Sequence, residues 1–124
     1  MNVALWIVQG LLALMFLMAG VTKVMQPKEK LAGNMAWVED FSGGQVKTIG
    51  VLEVLGAIGL ILPAATGILP WLTPLAAIGL SLTMIGAIIV HIRRGELSMI
   101  IVNIVLLALA AFVAYGRFVL EPFL

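Results

Sequence analysis

Four side chains in an otherwise apolar chain could do chemistry: Lys23, Glu53, His91 and Asn103. A carboxylate near an ammonium group can form an ion pair, hold a proton or bond a ligand. Histidine can exchange a proton near neutrality, and an amide can donate and accept at once. Each of the four lies in or at the end of a different hydrophobic run. Charged groups inside a bilayer cost about 2.5 to 3.5 kcal/mol on insertion scales, so an intramembrane ionisable residue is by default a functional-site hypothesis. Three readings are open. The four residues line a polar pocket for a ligand or a proton. Or they form a structural lock, with Lys23 paired to Glu53 and Asn103 bonded across helices at an average of about 0.6 kcal/mol per bond. Or they are wetted from the interface, which suits His91, within one turn of Arg93.

Other chemistries are excluded more firmly. The chain has no cysteine, which removes disulfides, thiolate metal sites and iron–sulfur ligation. One histidine leaves no ordinary metal cage, so neither a metal nor a covalently bound cofactor is expected. No nucleophile stands beside Glu53 or His91, so no catalytic residue is assigned and an enzyme acting alone is not supported. A net charge of +1 lacks the basic footprint of a nucleic-acid binder.

The elements that must position these residues are membrane spans. A soluble domain is typically about 45 to 50% apolar and about 25% charged, whereas these 124 residues are 63% hydrophobic and 10% charged, with mean hydropathy +1.21. Four apolar runs, over about 3–22, 46–62, 74–92 and 97–115, predict an all-α membrane protein, a four-transmembrane-helix bundle forming one domain over 1–124. The first run is long enough for a hydrocarbon core of about 30 Å and has no preceding Lys or Arg, so it reads as a span rather than a signal peptide. Ser42 three residues before Gln45 is a capping-box pattern, Pro63 closes the second span, and Thr73 with Pro74 reads as the N-cap and first position of the third.

Loops 1 and 3 with their flanks carry Lys23, Lys28, Lys30, Lys47, Arg93 and Arg94, against Arg117 alone on the other side, six to one. The positive-inside rule places those loops in the cytoplasm and both termini outside. Trp6, Trp71 and Trp37 fall where an interfacial aromatic belt would lie. In loop 1, Pro27 starts a pattern with Leu31, Met35 and Val38 at i, i+4 and i+7, which predicts a short amphipathic helix over about 27–39. Trp37 and Phe41 would anchor it before the Gly43-Gly44 break.

Helical periodicity then gathers the polar residues. Gln9, Ala13, Phe16, Gly20 and Lys23 share a stripe of the first span, Gly50, Glu53, Ala57 and Leu60 one of the second, and Gly79, Thr83, Ala87 and His91 one of the third. Gly20, Gly50, Ala57, Gly79, Thr83 and Ala87 are therefore the expected helix-packing residues. Asn103 lies about six residues into the fourth span. Gln9 and Thr83 are expected to pack, Met15, Met18 and Met84 to fill gaps, and Tyr115, Arg117 and Glu121 to anchor an outer surface that is otherwise nearly featureless.

Four stretches carry a resemblance: AGVTK (Ala19 to Lys23), IGVLEVLGAIGLILP (Ile49 to Pro63), MIGAIIVHIRRGE (Met84 to Glu96) and FVAYGRF (Phe112 to Phe118). Together they resemble the DoxX-like family of small four-helix membrane proteins over nearly the whole chain. The resemblance implies a Lys at the end of the first helix and a Glu in the second, matched by Lys23 and Glu53, with a looser match at His91. Relatives in membrane redox complexes imply a non-catalytic subunit, accessory to a membrane oxidoreductase, that binds a quinone-like or lipid-like molecule. A superfamily member acting as a receptor-assembly chaperone implies instead an interaction protein whose buried polar residues are purely structural. The partners expected are the lipid bilayer and another membrane protein, or a second copy in a homo-oligomer. A proton-coupled carrier ranks last, because no broken-helix pair or inverted repeat is visible.

Overall fold

In hydrocarbon every backbone N–H and C=O must find its partner within the protein, which favours long uninterrupted helices. The computed structural model describes residues 1–33 and 35–122. Its four long helices are α1 (Asn2–Met25), α3 (Gly43–Thr66), α4 (Leu72–Arg94) and α5 (Leu97–Tyr115), and each is long and apolar enough to cross a membrane. No strand occurs among the described residues. α1 packs along α3 and α4 along α5, α3 joins the two pairs through α4, and α1 touches α5 more sparingly. Val3, Ile7, Leu11 and Met18 are exposed along α1, opposite its buried residues, the outward apolar face that a lipid-contacting helix presents.

The α1–α3 crossing depends on glycine. A Cβ on Gly20 would lie 2.6 Å from the Gly50 carbonyl oxygen, and one on Gly50 would lie 2.8 Å from the Gly20 oxygen. Backbone therefore meets backbone, as at small-residue contacts of membrane helices. Ala57 is buried in the core with Leu12, Phe16, Leu60 and Leu80. The expected stripe on α4 holds only in part. Thr83 and Ala87 are half-buried, but Gly79 is exposed, with nothing within 4 Å of a Cβ placed there. Steps of four residues drift about 40° each at 3.6 residues per turn, so Gly79 sits about 120° around from His91. The glycines that seat α4 are on α3 instead, with Gly56 against Leu80 and Gly59 against Ala76.

Pro63 does not end α3. The helix continues to Thr66 and terminates at Gly67, which takes the left-handed conformation at φ 71°, the usual C-terminal role of glycine. Proline removes one N–H, which leaves the carbonyl four residues earlier without its helical donor. That carbonyl belongs to Gly59, and Thr73 Oγ1 donates to it at 3.0 Å. Thr73 is thus no N-cap. α4 starts at Leu72 without a side-chain cap, and the threonine instead satisfies the α3 carbonyl that Pro63 leaves without a donor. The capping box at Ser42 and Gln45 forms with both its bonds.

The single loop 1 helix expected over 27–39 is two separate turns, α2 (Lys28–Leu31) and a 3₁₀ turn over Ala36–Asp40. Residue 34, within that span, lies outside the described residues. Ala32 and Gly33 are a turn, and Met35 leaves the helical region at φ −128°, ψ 79°. Breaking there lets Leu31 and Val38 both turn inward onto Val46 in a small core of their own, with Met35, Trp37 and Phe41 packed against it. Loop 1 is therefore tied to the start of α3.

Gly20→Val should cost about 1 to 3 kcal/mol, because the neighbour it meets is immovable backbone, whereas Gly10→Val, which meets nothing within 4 Å, should stay within about 0.5 kcal/mol. Reversible unfolding in mixed micelles measures both.

Candidate functional site

The glycine crossing seats Lys23 against Gly50, where a Cβ would lie 2.8 Å from that of Lys23, and Glu53, one turn along α3 from Gly50, faces it. Lys23 Nζ lies 2.6 Å from Glu53 Oε1, with the residues 8% and 4% exposed. The ammonium also lies 5.8 Å from the centroid of the Trp37 ring, within reach of a cation–π attraction. Buried ion pairs gain little net stability, but removing one partner strands a buried charge and is costly. The pair therefore locks the helices in register and presents its remaining polar surface inward.

His91 is placed by the end of α4. Gly95 takes the left-handed conformation at φ 70°, its N–H bonds the Ile92 carbonyl and the Glu96 N–H bonds the His91 carbonyl. These are the two bonds of a Schellman turn. The turn curls Glu96 back beneath the histidine, where its Oε1 lies 2.9 Å from Nδ1.

Asn103 is 5% exposed, and its Nδ2 is enclosed without a hydrogen-bond partner. It makes no bond across helices to any described residue, so the lock expected of it is absent. Lys23, Glu53, His91 and Asn103 all line one cavity of about 520 Å³, whose remaining walls are mainly apolar and come from all four long helices and loop 1. That volume lies within the range of about 300 to 1,000 Å³ usual for small-molecule sites. Thr83 and Ala87 line the same cavity. Trp37, Phe41 and Met35 wall it off at the loop end, and Arg94 Nη1 donates to Asp40 at 2.8 Å, fastening loop 1 to α4 beside it.

The other end of the bundle holds a second polar cluster where an almost featureless surface was expected. Arg117, expected as a surface anchor, is 2% exposed. α5 gives way to a π turn over Gly116–Leu120, and Gly116 sits against Leu5 so closely that a Cβ would come within contact distance of its side chain. Arg117 continues the buried face of Ala110 and Val113 at helical spacing, so its guanidinium lies inside. Its Nε donates to Gln9 Oε1 at 2.7 Å and Nη1 to Asn2 Oδ1 at 2.8 Å, and the Trp6 ring centroid lies 5.5 Å away. Gln9 Nε2 in turn donates to the Leu60 carbonyl at 2.7 Å, next to the carbonyl freed by Pro63. Gln9 is therefore a bridge rather than a packing residue, and it joins α1, α3 and the end of α5.

Sequence reasoning missed Glu96, Asp40 and this second cluster. Glu96 had a partial signal, since Gly95 after the helical run marks a helix end that turns back, but nothing in the spacing names Glu96 as the partner of His91. Arg117 had one too, since Asn103, Ala110, Val113 and Arg117 follow at steps of seven, three and four on one buried helical face, although its position near the end of the span reads as interfacial.

The architecture and the convergent polar cavity define an integral membrane protein built as a four-helix bundle. The family model described as the DoxX-like family matches residues 7–113, and the chain belongs to that family. No curated protein and no solved structure matches the chain.

A double-mutant cycle checks the ion pair. Lys23→Met should destabilise by about 3 to 5 kcal/mol, because Glu53 is left buried and charged. Glu53→Gln should cost less, since Lys23 sits near a helix end and can extend toward water. The double variant should recover most of the loss, and strictly additive losses would show that the two groups are not coupled.

Proposed function

We propose that this protein is a non-catalytic membrane subunit that holds a quinone-like or lipid-like molecule in the cavity between its helices. The observation that carries this reading is the convergence of one polar residue from each long helix on a single, otherwise apolar, cavity. An amphipathic molecule suits such a space: its chain lies among apolar side chains, and its head meets Lys23, Glu53, His91 and Asn103. Binding sites of this kind are mostly apolar with a few placed polar groups. On this reading a partner protein in the membrane supplies the redox centre, and this chain supplies the binding site.

The loop end faces the cytoplasm in this proposal, by the six-to-one distribution of basic residues. The head of the bound molecule then sits near the cytoplasmic surface, beneath loop 1, and the Arg94–Asp40 contact keeps the loop over it.

A second reading is favoured by the closeness of the Lys23–Glu53 pair itself. At 2.6 Å and beside the glycine crossing, the pair is also what a pure structural lock would look like. The protein would then act by docking another membrane protein, or a second copy, through its helix faces and loop 1.

Purification with native lipids followed by mass spectrometry separates the two. A retained small molecule in the unaltered protein, lost from the folded Lys23→Met/Glu53→Gln double variant, is the expected result. No retained molecule in any preparation, together with a crosslinked partner insensitive to those changes, would establish the docking role. For sidedness, a reporter fused at the C-terminus should be active only outside the cytoplasm, and cytoplasmic activity would reverse the orientation.

A further inference from the structure

Within the cavity the charged groups are already closed in pairs. Lys23 lies against Glu53 and Trp37, and His91 against Glu96. Arg94, beside the loop end, lies between Asp40 and Glu96. Asn103, by contrast, makes no hydrogen bond to any described residue. It is 5% exposed, and its Nδ2 is enclosed with no partner, although a buried donor normally finds one. A half-turn of an amide exchanges its two ends at little cost in shape, so either arrangement leaves an N–H donor and a carbonyl oxygen to be met by something other than the described residues.

We propose that Asn103 is the specificity determinant of the cavity and that it selects an uncharged head group bearing a hydrogen-bond acceptor, a carbonyl oxygen foremost. This rests on the reading of the cavity as a ligand site and specifies its ligand. A carboxylate or phosphate head would enter a space whose cations are committed to carboxylates, and it would lie close to Glu53 without a counter-charge. An ammonium head would find those carboxylates equally committed. A carbonyl requires no charge compensation and can accept from the Asn103 amide, which bonds to no described residue. The discrimination follows the general rule that buried polar groups reject ligands that leave them unpaired.

The test uses the full chain in detergent, titrated by native mass spectrometry with a long-chain methyl ketone and with the fatty-acid carboxylate of equal length. The ketone should bind at least about tenfold more tightly, the weight of one well-made hydrogen bond to a buried donor. Asn103→Leu, which removes an unpartnered amide, should melt no lower than the unaltered protein and should lose the ketone preference. Equal binding of the two probes by the unaltered protein would overturn the assignment while leaving the ligand site intact. So would undiminished ketone preference in Asn103→Leu. If neither probe binds the unaltered protein, the assignment falls together with the ligand-site reading beneath it.

Discussion

An ammonium group can sit 2.6 Å from a carboxylate inside this bundle because α1 and α3 touch backbone to backbone at Gly20 and Gly50. A side chain at either glycine would push the helices apart and lengthen the contact. In a low-dielectric interior an ion pair that lengthens loses attraction while each charge keeps its desolvation cost. Close approach and charge pairing thus depend on one another. Much else follows from the crossing, since it sets how α1 and α3 lie against each other and where Glu53 faces the space before α4 and α5.

The two ends of the bundle use polar residues in opposite ways. At the end with the termini, Arg117 bonds both Gln9 and Asn2, Gln9 bonds the Leu60 carbonyl, and Thr73 satisfies the Gly59 carbonyl freed by Pro63. Small residues there let Leu80, Ala76 and Leu5 seat tightly. At the loop end the polar residues surround a cavity, and one of them is left without a partner. A closed end and a hollow end suit a protein whose rigid half holds the helices so that the other half can keep a space open. Interiors normally fill such space, since voids forfeit dispersion contacts, so a cavity with an unpaired amide in its wall is the part of the molecule that packing alone does not account for.

Membership of the DoxX-like family fits the architecture without choosing a chemistry. The site carries the functional reading: four polar residues, mainly apolar walls and a loop fastened over the opening by Arg94 and Asp40.

The sequence by itself determined the four spans, because apolar length is read directly against bilayer thickness. It also determined the α1 and α3 faces, where Gln9, Gly20, Lys23, Gly50 and Glu53 are buried as their spacing implies, and the capping box at Ser42. A helix fixes its own periodicity locally, so these features need no partner to be legible. The α4 stripe was legible only near His91, since small angular errors accumulate along a helix until Gly79 faces outward. Tertiary structure decided what depends on a second element. It chose Glu96 as the partner of His91, divided loop 1 so that Leu31 and Val38 could share one small core, joined Arg117 to Gln9 and Asn2, and left Asn103 unpaired. These outcomes hinge on where another helix or turn happens to lie, and one-dimensional spacing carries no record of distances across the bundle.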